Sequence, residues 1–92
     1  MTDTGTLKLL NNLIQLQLYY CNAEDIHCHV DYDTQKGFLI MGDTDHSAQL
    51  LQVVFETYPI QIGDSYDQAN AWIGQHFARK ISAYREEVAS QN

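Results

Sequence analysis

Basic residues are scarce in this chain: five Lys and Arg stand against twelve Asp and Glu, a formal charge of −7 over 92 residues. Nucleic acid is held mainly by clustered Lys and Arg, so direct nucleic-acid binding is disfavoured. An anionic membrane surface is repelled for the same reason. Apolar runs are short too, none longer than four residues (38–41 is one), so no segment spans a bilayer. The N-terminus lacks a basic lead and an unbroken apolar core and reads as carrying no signal peptide. The two cysteines, Cys21 and Cys28, are seven residues apart and make no disulfide framework. A single domain, 1–92, in a reducing cytoplasmic compartment is expected.

Catalytic and cofactor signatures are also missing. The chain has no G-x-S-x-G, no glycine-rich phosphate loop, no dinucleotide fingerprint and no HExxH helix. No nucleophile and base can be named together, so a non-enzymatic protein without a cofactor is expected.

What is present is acid, unevenly spread. Residues 1–67 hold ten acids and two bases, Lys8 and Lys36, whereas residues 68–92 hold two acids and three bases, Arg79, Lys80 and Arg85. Such a surface attracts a basic protein surface and steers it in from a distance.

Residues 26–32 alternate without error: Ile26, Cys28, Val30 and Tyr32 point one way, His27, His29 and Asp31 the other. Period-two alternation marks a half-buried antiparallel strand. The turn Asp33-Thr34-Gln35-Lys36-Gly37 follows, with Gly37 suited to a left-handed position, and 38–41 returns with Phe38 and Ile40 on the core face. Asp31-x-Asp33-x-Gln35 resembles a calcium loop, but Lys36 stands at the sharp turn and Gly42 where a bidentate Glu is needed. A hairpin is the better reading.

Residues 6–20 are so uniformly apolar that a helix would smear its leucines over more than half its circumference. As strands they sort better, with Asn11-Asn12 as a two-residue turn and Tyr20, Leu18 and Leu16 opposite Cys28, Val30 and Tyr32. A single N-terminal helix is the alternative. Two helices finish the chain. Asp43 or Thr44 caps the first, whose stripe is Ala48, Leu51, Val54, Phe55 and Tyr58, and Pro59 stops it. Ile60-Gln61-Ile62 reads as a short edge strand. Ser65 and Gln68 form a capping box for the second, with a stripe of Tyr66, Ala69, Ile73, Phe77, Ile81, Tyr84 and Val88, Trp72 beside it and His76 stacked on Trp72. The expected fold is therefore α+β: a four-stranded antiparallel meander followed by two helices packed on one face.

In that arrangement the other sheet face stays open and carries Leu10, Leu13, Tyr19, His27, His29, Asp31, Leu39 and Met41. Its mixture of aromatic, aliphatic and polar groups suits a protein interface, or a homodimer seam. The acids Glu24, Asp25, Asp33, Asp43 and Asp45 at hairpin tips and a helix start would meet Lys and Arg of a partner. Asp43 and Asp45 are also explained as acids favoured at a helix N-terminus. Cys21, His27 and His29, with water, Asp31 or His46 as a fourth ligand, are the candidate metal set, though no recurring ligand motif supports it. That set, or a small ligand on the same face, is the competing reading of a regulatory domain.

In size, charge and freedom from catalytic motifs the chain resembles phage-encoded inhibitors of bacterial defence systems and bacterial toxin-immunity proteins. The resemblance transfers no residue. It implies an acidic inhibitor, in the limit a mimic of nucleic acid, that occludes a basic, nucleic-acid-handling surface.

Overall fold

A computed structural model describes residues 4–58 and 65–91 of the chain. In chain order these form helix α1 (Thr4–Tyr20), strands β1 (Cys28–Asp33) and β2 (Gly37–Gly42), helix α2 (Asp45–Thr57) and a long helix α3. α3 has three parts: Tyr66–Trp72, a π-helical turn at Ile73–Phe77, and Ala78–Gln91. Among the described residues the sheet has two antiparallel strands, so the expected four-stranded meander with two helices is corrected to a hairpin with three helices. The short strand expected at 60–62 and the stop at Pro59 lie outside the described residues.

The N-terminal segment is one helix, not a strand pair. Six Leu and two Gln are good helix formers and Ile14 is its only β-branched residue beyond the first turn, a composition that favours helix. Leu10, Ile14 and Leu18, four residues apart, are buried in the core. Full burial of such a side chain is worth about 1.5–3 kcal/mol, more than a lone hairpin could recover at its open edge. Asn22 ends the helix in the left-handed region at φ 57°. The Ala23 N–H donates to Leu18 O at 2.8 Å and the Asn22 N–H to Tyr19 O at 3.1 Å. These are the two bonds of a Schellman motif, with Asn where Gly is commoner.

α1 replaces the first and second expected strands and lies along the free edge of β1. The Asn11 side-chain oxygen accepts from the Val30 N–H at 2.6 Å, and Gln15 Nε2 donates to Cys28 O at 3.5 Å. Two amide side chains one helical turn apart therefore satisfy two edge groups of the strand. The edge is covered without a further strand.

The hairpin follows its expected course. Cys28, Val30, Phe38 and Ile40 are buried, and the register pairs Val30 with Ile40 and Tyr32 with Phe38. Asp33 Oδ1 accepts from the N–H groups of Gln35 and Lys36, and Gly37 takes φ 88° to close the turn.

Of the two caps considered for α2, Thr44 is the one used: its side chain accepts from the Ser47 N–H at 3.0 Å. The inward stripe begins at Ser47 rather than Ala48, which is exposed. Ser47 is fully buried because its Oγ accepts from the His27 N–H and the Thr44 hydroxyl, both at 2.8 Å. Gly42 lets the hairpin approach this helix closely, since a Cβ there would lie 2.4 Å from Ala48 N.

Ser65 caps α3 by accepting from the Gln68 N–H. Ala69, Ile73, Phe77 and Ile81 recur every four residues and all are buried. On a regular α-helix each such step turns the side chain about 40° away from the core. The π-helical turn widens the helix at Ile73–Phe77 and returns Phe77 and Ile81 to the same side. Trp72 packs on Phe55 and Phe77 rather than on His76, which is exposed. Core residues from α1, the inner hairpin face, α2 and α3 form one cluster.

Candidate functional site

The outer face of the hairpin is open. His27, His29, Asp31 and Met41 are exposed and Leu39 is half-buried, while their sequence neighbours Cys28, Val30 and Ile40 are buried. Cross-strand pairing sets His29 opposite Met41 and Asp31 opposite Leu39. The ladder runs one step further, where the Asp43 N–H donates to His27 O at 2.6 Å. This brings the Asp43 carboxylate diagonally across the strands to Nδ1 of His29, with which it pairs. The result is a short apolar strip, Leu39 and Met41, flanked by two imidazoles and two carboxylates.

The remaining acids assigned to partner binding fall into two groups. Some already work within the fold. Asp25 accepts from Arg85 Nη2 through both carboxylate oxygens, at 2.8 and 2.9 Å, and lies 3.4 Å from His46 Nε2. Its carboxyl is held below the ordinary range, chiefly by the hydrogen bonds from Arg85. Asp33 is held low by the backbone N–H groups of Gln35 and Lys36. Asp31 also accepts from its neighbour, the Tyr32 N–H, at 2.8 Å, but has no basic partner among the described residues. Glu24, in the α1–β1 connection, and Asp45, in the first turn of α2, are exposed and likewise lack a basic partner.

Tyr19, Leu10 and Leu13 do not join this face, because they belong to α1. Leu10 is core, Leu13 packs partly against it, and Tyr19 is 61% exposed on the helix with its ring edge-on to Tyr20. Cys21 is likewise displaced: it lies in the turn after α1, its thiol on Leu18 O, and not on a strand beside His27. The proposed cross-strand set of Cys21, His27 and His29 is therefore not assembled. Among the described residues no three His, Cys, Asp or Glu side chains form a group able to hold a metal. Burial pushes the Cys28 thiol up to about 11, helped by the nearby Asp43 charge, so it stays protonated and unreactive near neutral pH.

Two features escaped sequence reasoning. A groove of about 450 Å³ opens between α2 and the last part of α3, lined by Leu50, Val53, Tyr84 and Val88 with His46 and Arg85 at its polar margin. A shallower recess of about 200 Å³ lies at Tyr58, His76, Arg79 and Lys80, where the Lys80 ammonium sits 4.3 Å from the Tyr58 ring centroid. Neither was legible because each joins helices whose relative placement the sequence does not state. No helix of the described residues is long and apolar enough to cross a membrane. Compared with protein-family models, curated proteins and solved structures, the chain finds no match.

Proposed function

We propose that this protein is a non-enzymatic acidic binding protein that occludes a basic protein surface, in the manner of an inhibitor or immunity protein. The observation that carries the reading is the outer hairpin face, where exposed Met41 and half-buried Leu39 lie between His29, Asp31 and Asp43. An apolar centre with a charged margin is the usual anatomy of a protein interface. Glu24, Asp31 and Asp45, exposed and without a basic partner among the described residues, supply long-range attraction to Lys and Arg. Asp25, both of whose oxygens are held by Arg85, contributes to the general field more than to direct contacts, and Asp33 has its Oδ1 on the turn N–H groups. The competing reading, a regulatory domain built on Cys21, His27 and His29, has lost its shared face.

A basic partner meets Asp31 and Asp43 of this face with opposite charge. The test is affinity for the partner with the Asp31→Lys and Asp45→Lys variants, against Asp67→Lys as a control remote in sequence. The reading expects the first two to weaken binding and the control to change it little. Equal losses in all three would reduce the effect to net charge and remove the hairpin face from the interface.

A further inference from the structure

Four of the seven large apolar side chains that the described fold leaves exposed belong to α1: Leu9 at 59%, Leu16 at 46%, Tyr19 at 61% and Tyr20 at 69%. Leu9, Leu13, Leu16 and Tyr20 follow one another at steps of four, three and four residues. That is the spacing of a coiled-coil seam. At about 100° per residue they fall within about 60° of arc, roughly 130° from the buried stripe of Leu10, Ile14 and Leu18. α1 thus has two apolar stripes, and the body of the protein covers one. Leu13 lies at the near margin of the second and is half-buried.

The occupant follows from charge. α1 carries a single charged side chain, Lys8, in its 17 residues, on a chain whose formal charge is −7. Two copies repel one another wherever acids meet, and α1 is the one helix among the described residues that carries no acid. A strongly basic partner gains nothing from this surface, because no carboxylate lies on it. The spacing is also self-complementary. If two helices run antiparallel about a two-fold axis, Leu9 meets Tyr20 of the second copy and Leu13 meets Leu16 of the second copy, and every contact is made twice. Antiparallel alignment also sets opposite helix-dipole ends side by side. We infer that a second copy of this chain docks on the Leu9/Leu13/Leu16/Tyr20 stripe, forming an antiparallel α1–α1 dimer that leaves the outer hairpin face of each copy free. A single helix pair is a small interface, so the dimer is weak, with a dissociation constant on the order of micromolar or above.

Sedimentation equilibrium of the full chain, over a range from about 1 μM to 1 mM to bracket such an interface, tests this directly. Wild type should move from monomer to dimer across that range, and more readily at higher salt, which screens the repulsion between two acidic bodies. Leu16→Glu should weaken association by about tenfold or more, with far-ultraviolet circular dichroism unchanged because the residue is a surface one. Met41→Asp should leave the dimer intact. Leu9→Glu and Tyr20→Lys should each weaken it, and the double variant should recover it, because opposite charges then face one another only if the helices run antiparallel. A monomer throughout the range overturns the inference. So does a dimer that Met41→Asp abolishes and Leu16→Glu spares, or a double variant that stays as monomeric as the single ones. Should Leu16→Glu fail to fold, the Leu9 and Tyr20 variants decide the question alone.

Discussion

The side-chain oxygen of Asn11 accepts a hydrogen bond of 2.6 Å from the main-chain N–H of Val30, so a side chain of α1 takes the place of a neighbouring strand at that edge group of the hairpin. A strand edge left open offers its N–H and C=O groups to any passing strand. Replacing Asn11 by Ala leaves the Val30 N–H, half shielded by the helix, without a partner. The expected cost is about 1–2 kcal/mol of unfolding free energy. Amide exchange at Val30 should accelerate more than at His29, whose residue pairs inward with Met41. Denaturant unfolding and residue-resolved hydrogen exchange check both statements.

Two glycines should respond with opposite signs. At Gly42 a Cβ would sit 2.4 Å from the backbone nitrogen of Ala48, which cannot yield without moving α2. Gly42→Ala should destabilise by about 2–4 kcal/mol, as overpacking against rigid backbone does. At Gly74, inside the π-helical turn, a Cβ meets nothing within 4 Å. Gly74→Ala should therefore stabilise by about 0.5–1 kcal/mol through the unfolded chain. Thermal unfolding of the two variants measures the contrast.

Ser47 is the one polar side chain buried in the core among the described residues, and it binds the strand entry to α2 through the His27 N–H. Ser47→Ala should cost about 1–3 kcal/mol, because the partly buried N–H of His27 and the Thr44 hydroxyl then lose their acceptor. Ser47→Thr, which keeps the hydroxyl, tests whether the loss is the bond or the space. A Thr variant that unfolds as easily as Ala would point to space.

Acid should weaken the fold through Asp25 and Asp33, whose carboxyls are both held below their ordinary values. A depressed folded-state pKa adds stability that is fully present above the unfolded value of about 3.9 and is lost as pH falls through the lower folded one. Stability should thus decline below about pH 5, and Asp25→Asn should flatten part of that decline by removing the pairing with Arg85. The slope of unfolding free energy against pH between about 2 and 6, wild type against variant, is the measurement.

Partner binding should be salt-sensitive in the opposite sense to self-association. Contacts driven by exposed charge are screened beyond about 8 Å at physiological ionic strength, so affinity for a basic partner should fall steeply between low and high salt. An affinity unchanged over that range would show that charge does not drive the occlusion.

The hairpin was legible because it obeys one rule as far as Val30, whereas Tyr32, expected on the core face, is 37% exposed. From Ile26 to Val30 every apolar residue is buried and every polar one exposed, and Gly37 takes the left-handed turn position that its neighbours avoid. The helix caps at Thr44 and Ser65 were legible for a similar reason, since a hydroxyl three residues before a free N–H is a local signal. α1 was not. Its leucines cover both a core stripe and an outer one, so neither period stands out, and the Asn11-Asn12 pair satisfies a turn as well as it satisfies Val30. The candidate site divides along the same line. His27, His29, Asp31, Leu39 and Met41 share a face because strand alternation says so, whereas Tyr19 and Cys21 were placed on that face only by the strand that became a helix.

Site-specific photocrosslinking in the native cell decides whether the outer hairpin face is the docking surface. A benzophenone amino acid is placed in turn at Met41, at Leu9 and at Ser90. Met41 should give a heterologous adduct, mapped by mass spectrometry to a Lys- and Arg-rich surface of its partner, and Ser90 should give none. Leu9 should yield only adducts between two copies of this chain. A heterologous adduct from Ser90 or Leu9 with none from Met41 would place the docking surface elsewhere than on the hairpin.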